Sequence, residues 1–180
     1  MNISELISTP ERERIMQVLL YSTKPASLYE IARQANVSPS QVHKYVAIWK
    51  KYGWIKGMQV ANTPLIQAFR LMENIHLLKD GRMVAQIRKM LQSVKGIGLY
   101  GSWAKGTNNE NADVDVWIFV EQEPDDLVLG KIRRALEKKL GKKLDITIVT
   151  KEKLRDLQKN NPNFYYSLYH SIRLWRDAVW

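Results

Sequence analysis

The segment DVDVWIFV, residues 113–120, constrains the fold most, because it joins two acidic residues to an apolar run. Branched and aromatic residues in such a run favour a buried strand. Successive side chains of a strand point to opposite faces, so Asp113 and Asp115 share one face. At about 6–7 Å and an effective dielectric constant near 20, their charges repel by about 2–3 kcal/mol before screening. This cost predicts that a positive group lies between the two carboxylates.

The residues from 73 onward alternate between helical and strand patterns. The spacing of their apolar residues predicts the order helix, strand, strand, helix, strand, helix, strand, with a break in the first helix at Asp80–Gly81. The first strand, KGIGLYG, leads to Gly101 and Ser102, and a later strand, KLDITIV, carries Asp145. Elements in this order predict a mixed α/β layer.

The first seventy residues carry start signals for three helices. Thr9-Pro10 begins the first helix, and capping boxes that start at Ser27 and Ser38 begin the second and third. The short connection NVSPS between the second and third helices is typical of a helix-turn-helix. WIKGMQV and LIQAFRL are predicted as the strands of a wing, with the turn ANTP offering Asn62 and Thr63. We therefore expect an α/β (α+β) protein of two domains, residues 1–72 and 73–180.

This N-terminal segment resembles the winged-helix domains of small prokaryotic transcription regulators. That resemblance implies that the third helix enters the major groove of duplex DNA. The residues that would face bases and phosphates are Ser38, Ser40, Gln41, Lys44, Lys50 and Lys51. The alternative is a helical bundle that serves dimerisation or partner binding, since a fold does not fix a function.

Composition narrows the classes of partner and ligand. The net charge is +10, and residues 1–72 and 73–180 each carry a net charge of +5. An excess of basic residues in both parts favours a polyanionic partner, with an ordinary basic surface as the alternative. The chain has no cysteine, so a metal ion would have oxygen or imidazole ligands. No membrane span or secretion signal is recognisable, and we expect a cytoplasmic protein that does not bind membranes.

The acidic residues form a spaced pattern with the glycine-serine turn. Ten residues separate Ser102 from Asp113, Asp115 follows, and Asp145 lies on a later predicted strand. This pattern resembles the signature of the DNA polymerase β-like nucleotidyltransferase superfamily, and in particular its minimal nucleotidyltransferases, over about residues 90–176. The resemblance implies catalytic and metal-binding roles for Asp113, Asp115 and Asp145. It also implies that Gly101, Ser102 and Lys105 bind a nucleoside triphosphate.

Nucleotidyl transfer, the reaction of this family, requires the protein to position the reacting groups and to supply positive charge near the phosphates. Asp113 and Asp115 can hold two Mg²⁺ ions, with Mn²⁺ as a substitute, about 3.5–4 Å apart. The resemblance implies that Asp145 binds the metal on the acceptor side and helps to deprotonate the attacking hydroxyl. Gly101 lets the backbone approach a phosphate, which Ser102 and Lys105 can contact.

Two functions follow from the resemblance and stay open at this point. The first is an enzyme that moves an NMP, with AMP the first choice, from an NTP to a hydroxyl of protein, RNA or a small molecule, releasing pyrophosphate. The second is a DNA-binding regulator or antitoxin-like module that binds an NTP without turnover. A small helical partner protein and a homodimer are compatible with both.

Overall fold

A computed structural model describes residues 8–176, and they form two compact units. The first unit consists of residues 8–70 together with Asn108–Asn111. The second consists of Leu71–Thr107 and residues 112–176. Within residues 8–176, no helix has the length and apolar character needed to span a membrane.

The first unit is built on three helices: α1, Pro10–Tyr21; α2, Leu28–Ala35; and α3, Pro39–Lys51. Each begins at its predicted cap. The Thr9 side chain accepts a hydrogen bond from the backbone N–H of Arg12. Complete capping boxes at Ser27 and Ser38 begin α2 and α3, which confirms these three helix starts.

Apolar side chains from all three helices form the core of this unit. Ile15 and Leu19 of α1, Ile31 of α2 and Trp49 of α3 are buried in one cluster. Tyr45 stacks on Trp49 with ring centroids 6.1 Å apart. Each such side chain stabilises the unit by about 1.5–3 kcal/mol relative to an exposed one.

The region after α3 differs from the predicted wing. WIKGMQV is a hairpin of two short antiparallel strands, β1 (Ile55–Lys56) and β2 (Gln59–Val60), with Gly57 at φ +65° between them. LIQAFRL is not a strand but part of the helix α4, Pro64–Asp80. The prediction of a second wing strand is therefore wrong.

Asn62 and Thr63 accordingly lie just before α4 and not at a wing tip. The Thr63 hydroxyl accepts a hydrogen bond from the Ile66 N–H at 3.4 Å. The Asn62 side chain accepts one from Gln67 at 2.8 Å. Both side chains therefore stabilise the start of the helix, and the winged-helix assignment as a whole stays a prediction.

The second unit contains most of α4 and the helices and strands that follow it. These are α5 (Met83–Met90), β3 (Val94–Leu99), α6 (Gly101–Lys105), β4 (Val114–Val120), α7 (Asp126–Leu140), β5 (Leu144–Val149), α8 (Lys151–Asn160), α9 (Pro162–Tyr169) and β6 (Ile172–Trp175). The strands form one sheet in the order β5–β4–β3–β6. β4 and β5 are parallel and the other pairs are antiparallel, which confirms a mixed sheet with flanking helices.

The two faces of the sheet have separate cores because side chains alternate along β4. Val116 and Ile118 pack with Ile87 of α5 and Leu136 of α7 on one face. Trp117 and Phe119 pack on the other face with residues that include Val149, Leu154 of α8 and Leu168 of α9. Asp115 belongs to this second face by alternation, at the end of the strand.

Gly98 makes room for Trp117 in this second core. A Cβ built on Gly98 would overlap the Trp117 indole, which is buried and donates a hydrogen bond to the Ser171 hydroxyl at 2.7 Å. We expect Gly98→Ala to destabilise the protein by about 1–3 kcal/mol, because the indole must move. Gly130→Ala is the control, since nothing lies within 4 Å of its built Cβ in α7. That change should stabilise the helix by about 0.5–1 kcal/mol.

Thermal and urea unfolding of both variants measure these opposite effects. Equal changes of the two stabilities would contradict the packing of Trp117 on Gly98.

Candidate active site

The acidic residues lie where three strand ends meet. β3 ends at Leu99, which pairs with Val116 of β4. On the other side of β4, Asp115 pairs directly with Asp145 of the parallel strand β5. The Tyr100 N–H donates to the Asp115 carbonyl at 3.0 Å. The register therefore places Asp115, Asp145 and the first residue of α6 at one end of the sheet.

Gly101, at the start of α6, lies directly against the Asp115 side chain. Its φ is +66°, in the left-handed region that favours glycine. A Cβ built on Gly101 would overlap the Asp115 carboxylate oxygen Oδ2. The adjacent Ser102 N–H donates a hydrogen bond to the Asp115 carboxylate. The glycine-serine turn therefore fixes the orientation of Asp115.

The pKa of Asp115 depends on its burial and on its acidic neighbours. Burial raises the pKa of Asp115 above its ordinary value, and the charges of Asp145 and then Asp113 raise that pKa further. The hydrogen bond from Ser102 opposes the shift. Asp115 is half-buried, whereas Asp113 and Asp145 are exposed. Among residues 8–176, no lysine, arginine or histidine forms an ion pair with these three aspartates.

Asp113, Asp115 and Asp145 supply carboxylate oxygens, the type of ligand that Mg²⁺ prefers. In the part of the chain that the structure describes, no three His, Cys, Asp or Glu side chains are grouped as a metal cluster. Mg²⁺ takes one or two protein carboxylates and completes its shell with water and substrate phosphates. Asp145 and Asp113 raise the pKa of the neighbouring Asp115, and carboxylates that repel one another in this way fit that mode of binding.

Tyr100 and Thr147 are site residues that the sequence reasoning missed. The Tyr100 side chain is 8% exposed, and its hydroxyl is 2.9 Å from the Thr147 hydroxyl. Burial raises the pKa of Tyr100, the bond to Thr147 lowers it, and the charges of Asp145 and Asp115 raise it. Two signals could have found the pair. Tyr100 immediately precedes the glycine-serine turn, and Thr147 lies two residues after Asp145, on the same strand face.

Comparison with known proteins identifies this part of the chain. Residues 82–169 match the family described as "Nucleotidyltransferase domain", a span that includes the Gly101–Ser102 turn, β4 and β5. Residues 82–169 are a nucleotidyltransferase domain. The prediction of a DNA polymerase β-like nucleotidyltransferase fold is confirmed for this span.

The other comparisons are more distant. A crystal structure of a mutant of the toxin–antitoxin pair MntA-HpeT is similar, with 15% sequence identity and a TM-score of 0.44. The similarity covers 53% of this chain and 72% of that chain. None of the curated proteins matches the sequence.

Lys105 is the last residue of α6, the short helix of the nucleotidyltransferase domain that begins at Gly101. Its side chain is exposed, and Gly106 follows in the left-handed conformation at φ 64°. Within residues 8–176, Lys105 forms no ion pair. The ammonium is therefore available to a ligand, but no described contact joins it to the aspartates.

The residues predicted to contact DNA lie outside this nucleotidyltransferase domain, on α3 and at its N-cap, Ser38. Ser38, Ser40, Lys44, Lys50 and Lys51 are exposed. The Ser38 and Gln41 side chains bond to each other and to the backbone as the capping box of α3. These two side chains therefore have a structural role, and the three lysines are the freer groups.

Proposed function

We propose that the chain is a nucleotidyltransferase that moves an NMP, with AMP the first choice, from an NTP to an acceptor hydroxyl. Pyrophosphate is the second product. The proposal is supported above all by the pairing of Asp115 with Asp145 beside the Gly101–Ser102 turn. A carboxylate pair at a sheet end next to a tight turn suits metal-dependent phosphoryl chemistry.

Asp113, Asp115 and Asp145 would hold two Mg²⁺ ions, or Mn²⁺ in their place. The bound ions would neutralise the triphosphate and the charge that develops on the leaving pyrophosphate. The Ser102 N–H is already bonded to Asp115, so its hydroxyl is the group that contacts phosphate. Asp145 accepts the proton of the acceptor hydroxyl. The acceptor oxygen then bonds to the α-phosphorus as the bond from that phosphorus to the pyrophosphate oxygen breaks.

Incubation with α-³²P-labelled ATP, CTP, GTP and UTP, Mg²⁺ and a cell extract tests this proposal. We expect label on protein, RNA or a small molecule with one NTP preferred, and no label with Asp113→Ala or Asp145→Ala. Both side chains are exposed, so these variants should fold. Binding of NTP without any transfer of label would favour the regulator that senses NTP. Label transfer that is indifferent to both substitutions would contradict the proposed site.

We also propose that α3 binds duplex DNA, since Lys44, Lys50 and Lys51 are exposed on it. Each lysine that contacts a phosphate contributes about −0.9 to the slope of log K against log salt concentration. Replacing all three by glutamine should reduce that slope by about 2–3. Gel-shift or anisotropy titrations at four salt concentrations measure the slope. Glutamine at the exposed residues Lys131, Arg134 and Lys138 of α7 is the control of equal charge.

A slope near zero in the unaltered protein would count against DNA binding. It would favour the helical bundle that binds a protein, either a small helical partner or a second copy of this chain.

A further inference from the structure

We propose that a basic groove at the β6 edge of the second unit binds the phosphates of a single-stranded nucleic acid. The groove consists of two cavities, of about 380 and 330 Å³, that share Arg88. Lys79 and Arg82 line the first cavity at the rim of a mostly apolar lining that includes Leu78 and Met83, and Lys95 and Arg176 line the second. Among residues 8–176, no aspartate or glutamate lines either cavity. We call these five basic residues and Trp175 the β6 groove.

Two guanidinium groups of the groove are positioned on one indole ring. The Arg88 guanidinium lies 4.4 Å from the Trp175 ring centroid, and that of Arg176 lies 5.0 Å from it. Cation–π contact uses the flat face of a guanidinium and leaves its N–H edge available for phosphate oxygens. Trp175 is itself held in the sheet by its pairing with Ile97. Both guanidinium groups therefore already contact a residue of the sheet, Trp175, in the free protein.

Lys95 adds a third positive charge to the second cavity. Its ammonium is 2.9 Å from the Glu121 carboxylate, with the side chains 41% and 66% exposed. An exposed ion pair of this kind is weak, so a phosphate can compete with Glu121 for the lysine. The neighbouring cavity near Glu121 is lined by three glutamates, Glu121, Glu123 and Glu152, and a lysine, Lys151. Basic residues are thus concentrated in the β6 groove and are not spread evenly over this end of the sheet.

Stabilisation of a helix end accounts for only some of the basic residues in the β6 groove. Arg88 and Lys89 lie in the last turn of α5, where a cation interacts favourably with the helix dipole. That reason does not apply to Lys95 of β3 or to Arg176 after β6. Arg82 and Arg176 also have positive φ angles, of 50° and 60°. Residues other than glycine rarely adopt this conformation, and functional sites are where it concentrates.

The extent of the groove favours a strand over a single phosphate. Two adjoining cavities with five basic residues can contact several phosphates in succession, as proteins that track a single strand do. The β6 groove lies beside Val94 and Lys95, at the start of β3. Asp115 lies beside the other end of that strand. Since a strand rises about 3.3 Å per residue, Asp115 is about 16 Å from Lys95. The groove is therefore separate from the aspartates, and its binding does not depend on the proposed transfer reaction.

Fluorescence anisotropy of the full chain with a labelled 16-nucleotide single-stranded RNA, without metal or NTP, tests this inference. We expect Arg88→Gln with Arg176→Gln to weaken binding at least tenfold. The salt slope should fall by about 1.4, which is two contacts at about 0.7 each for a single strand. The control of equal charge is Lys131→Gln with Lys138→Gln on α7, which should change affinity less than twofold. Lys95→Gln is a second groove variant should the double variant not fold, and it should weaken binding about threefold or more.

Two results would overturn the inference. The first is an equal loss of affinity in the groove variants and in the α7 variants. It would show that the RNA is attracted by the overall positive charge of the protein and not by the β6 groove. The second is calorimetric binding of inorganic pyrophosphate that the groove variants abolish while RNA binding is unchanged. That result would assign the groove to a small phosphate ligand and not to a strand.

Discussion

Asp115→Asn is expected to abolish nucleotide transfer and at the same time to make the protein more stable. The loss of activity should reach about 10³-fold or more, because a bound metal supplies several kcal/mol of charge stabilisation in the transition state. The gain in stability follows from the same carboxylate. Burial and the charges of Asp145 and Asp113 raise the pKa of Asp115, so its ionised form is disfavoured in the folded protein. A neutral amide of the same shape removes that penalty.

The sign of the pH dependence follows from this shift. A carboxyl group whose pKa is raised by folding binds a proton more tightly in the folded state than in the unfolded state. The free energy of unfolding therefore falls as the pH rises from the ordinary pKa of 3.8 through the raised pKa of Asp115. Asp115→Asn should flatten the curve in this range and be more stable above it, by about 0.5–1 kcal/mol at neutral pH.

Chemical unfolding between pH 3 and 8 measures the stability, and the labelling assay measures the activity. The exposed Asp126 in the first turn of α7 provides the control Asp126→Asn. That change should leave activity unaltered and should not stabilise the protein. A loss of stability in Asp115→Asn would contradict the electrostatic account of this site.

Gly101→Ala is expected to disrupt the site through geometry alone. The positive φ of 66° costs an alanine about 1–2 kcal/mol, and overlap of its Cβ with Asp115 adds about 1–3 kcal/mol. Displacement of Asp115 by about 1 Å should lower activity about 100-fold. The control is Gly141→Ala, since Gly141 has nearly the same φ of 65° with nothing within 4 Å of its built Cβ.

The comparison of these two variants separates backbone conformation from close approach. Gly141→Ala should cost only about 1–2 kcal/mol and should keep its activity. Urea unfolding and the labelling assay are the measurements. Equal activities in the two variants would show that the approach of Gly101 to Asp115 does not matter for transfer.

Much of the fold is readable from local signals, and one missed signal explains the main error. Capping boxes and Thr9-Pro10 correctly begin α1 to α3. Thr63-Pro64 is the same kind of start signal, and it begins α4 where LIQAFRL was predicted as a strand. Ile66 and Phe69 are spaced by three residues and are buried together, which is a helical pattern. The branched and aromatic residues of this segment favour a strand only when they are taken without the Thr63-Pro64 start signal before them.

The candidate site was partly predictable because its main residues depend on strand alternation. Asp113 and Asp115 follow from a period of two along β4, but their pairing with Asp145 depends on the parallel register of β5, which no local pattern gives. The Tyr100–Thr147 contact joins residues 47 positions apart in the sequence. Ser38 and Gln41 show a different difficulty, because one local pattern supports two interpretations. Both residues are predicted to contact DNA, and both form the capping box of α3.

The most direct measurement of the central claim is anomalous diffraction from crystals soaked with Mn²⁺ and a non-hydrolysable ATP analogue. We predict Mn²⁺ peaks in contact with the carboxylates of Asp115 and Asp145 and with the triphosphate, and no such peaks in Asp115→Asn. Nucleotide bound elsewhere, or bound here without metal against these carboxylates, would contradict the account.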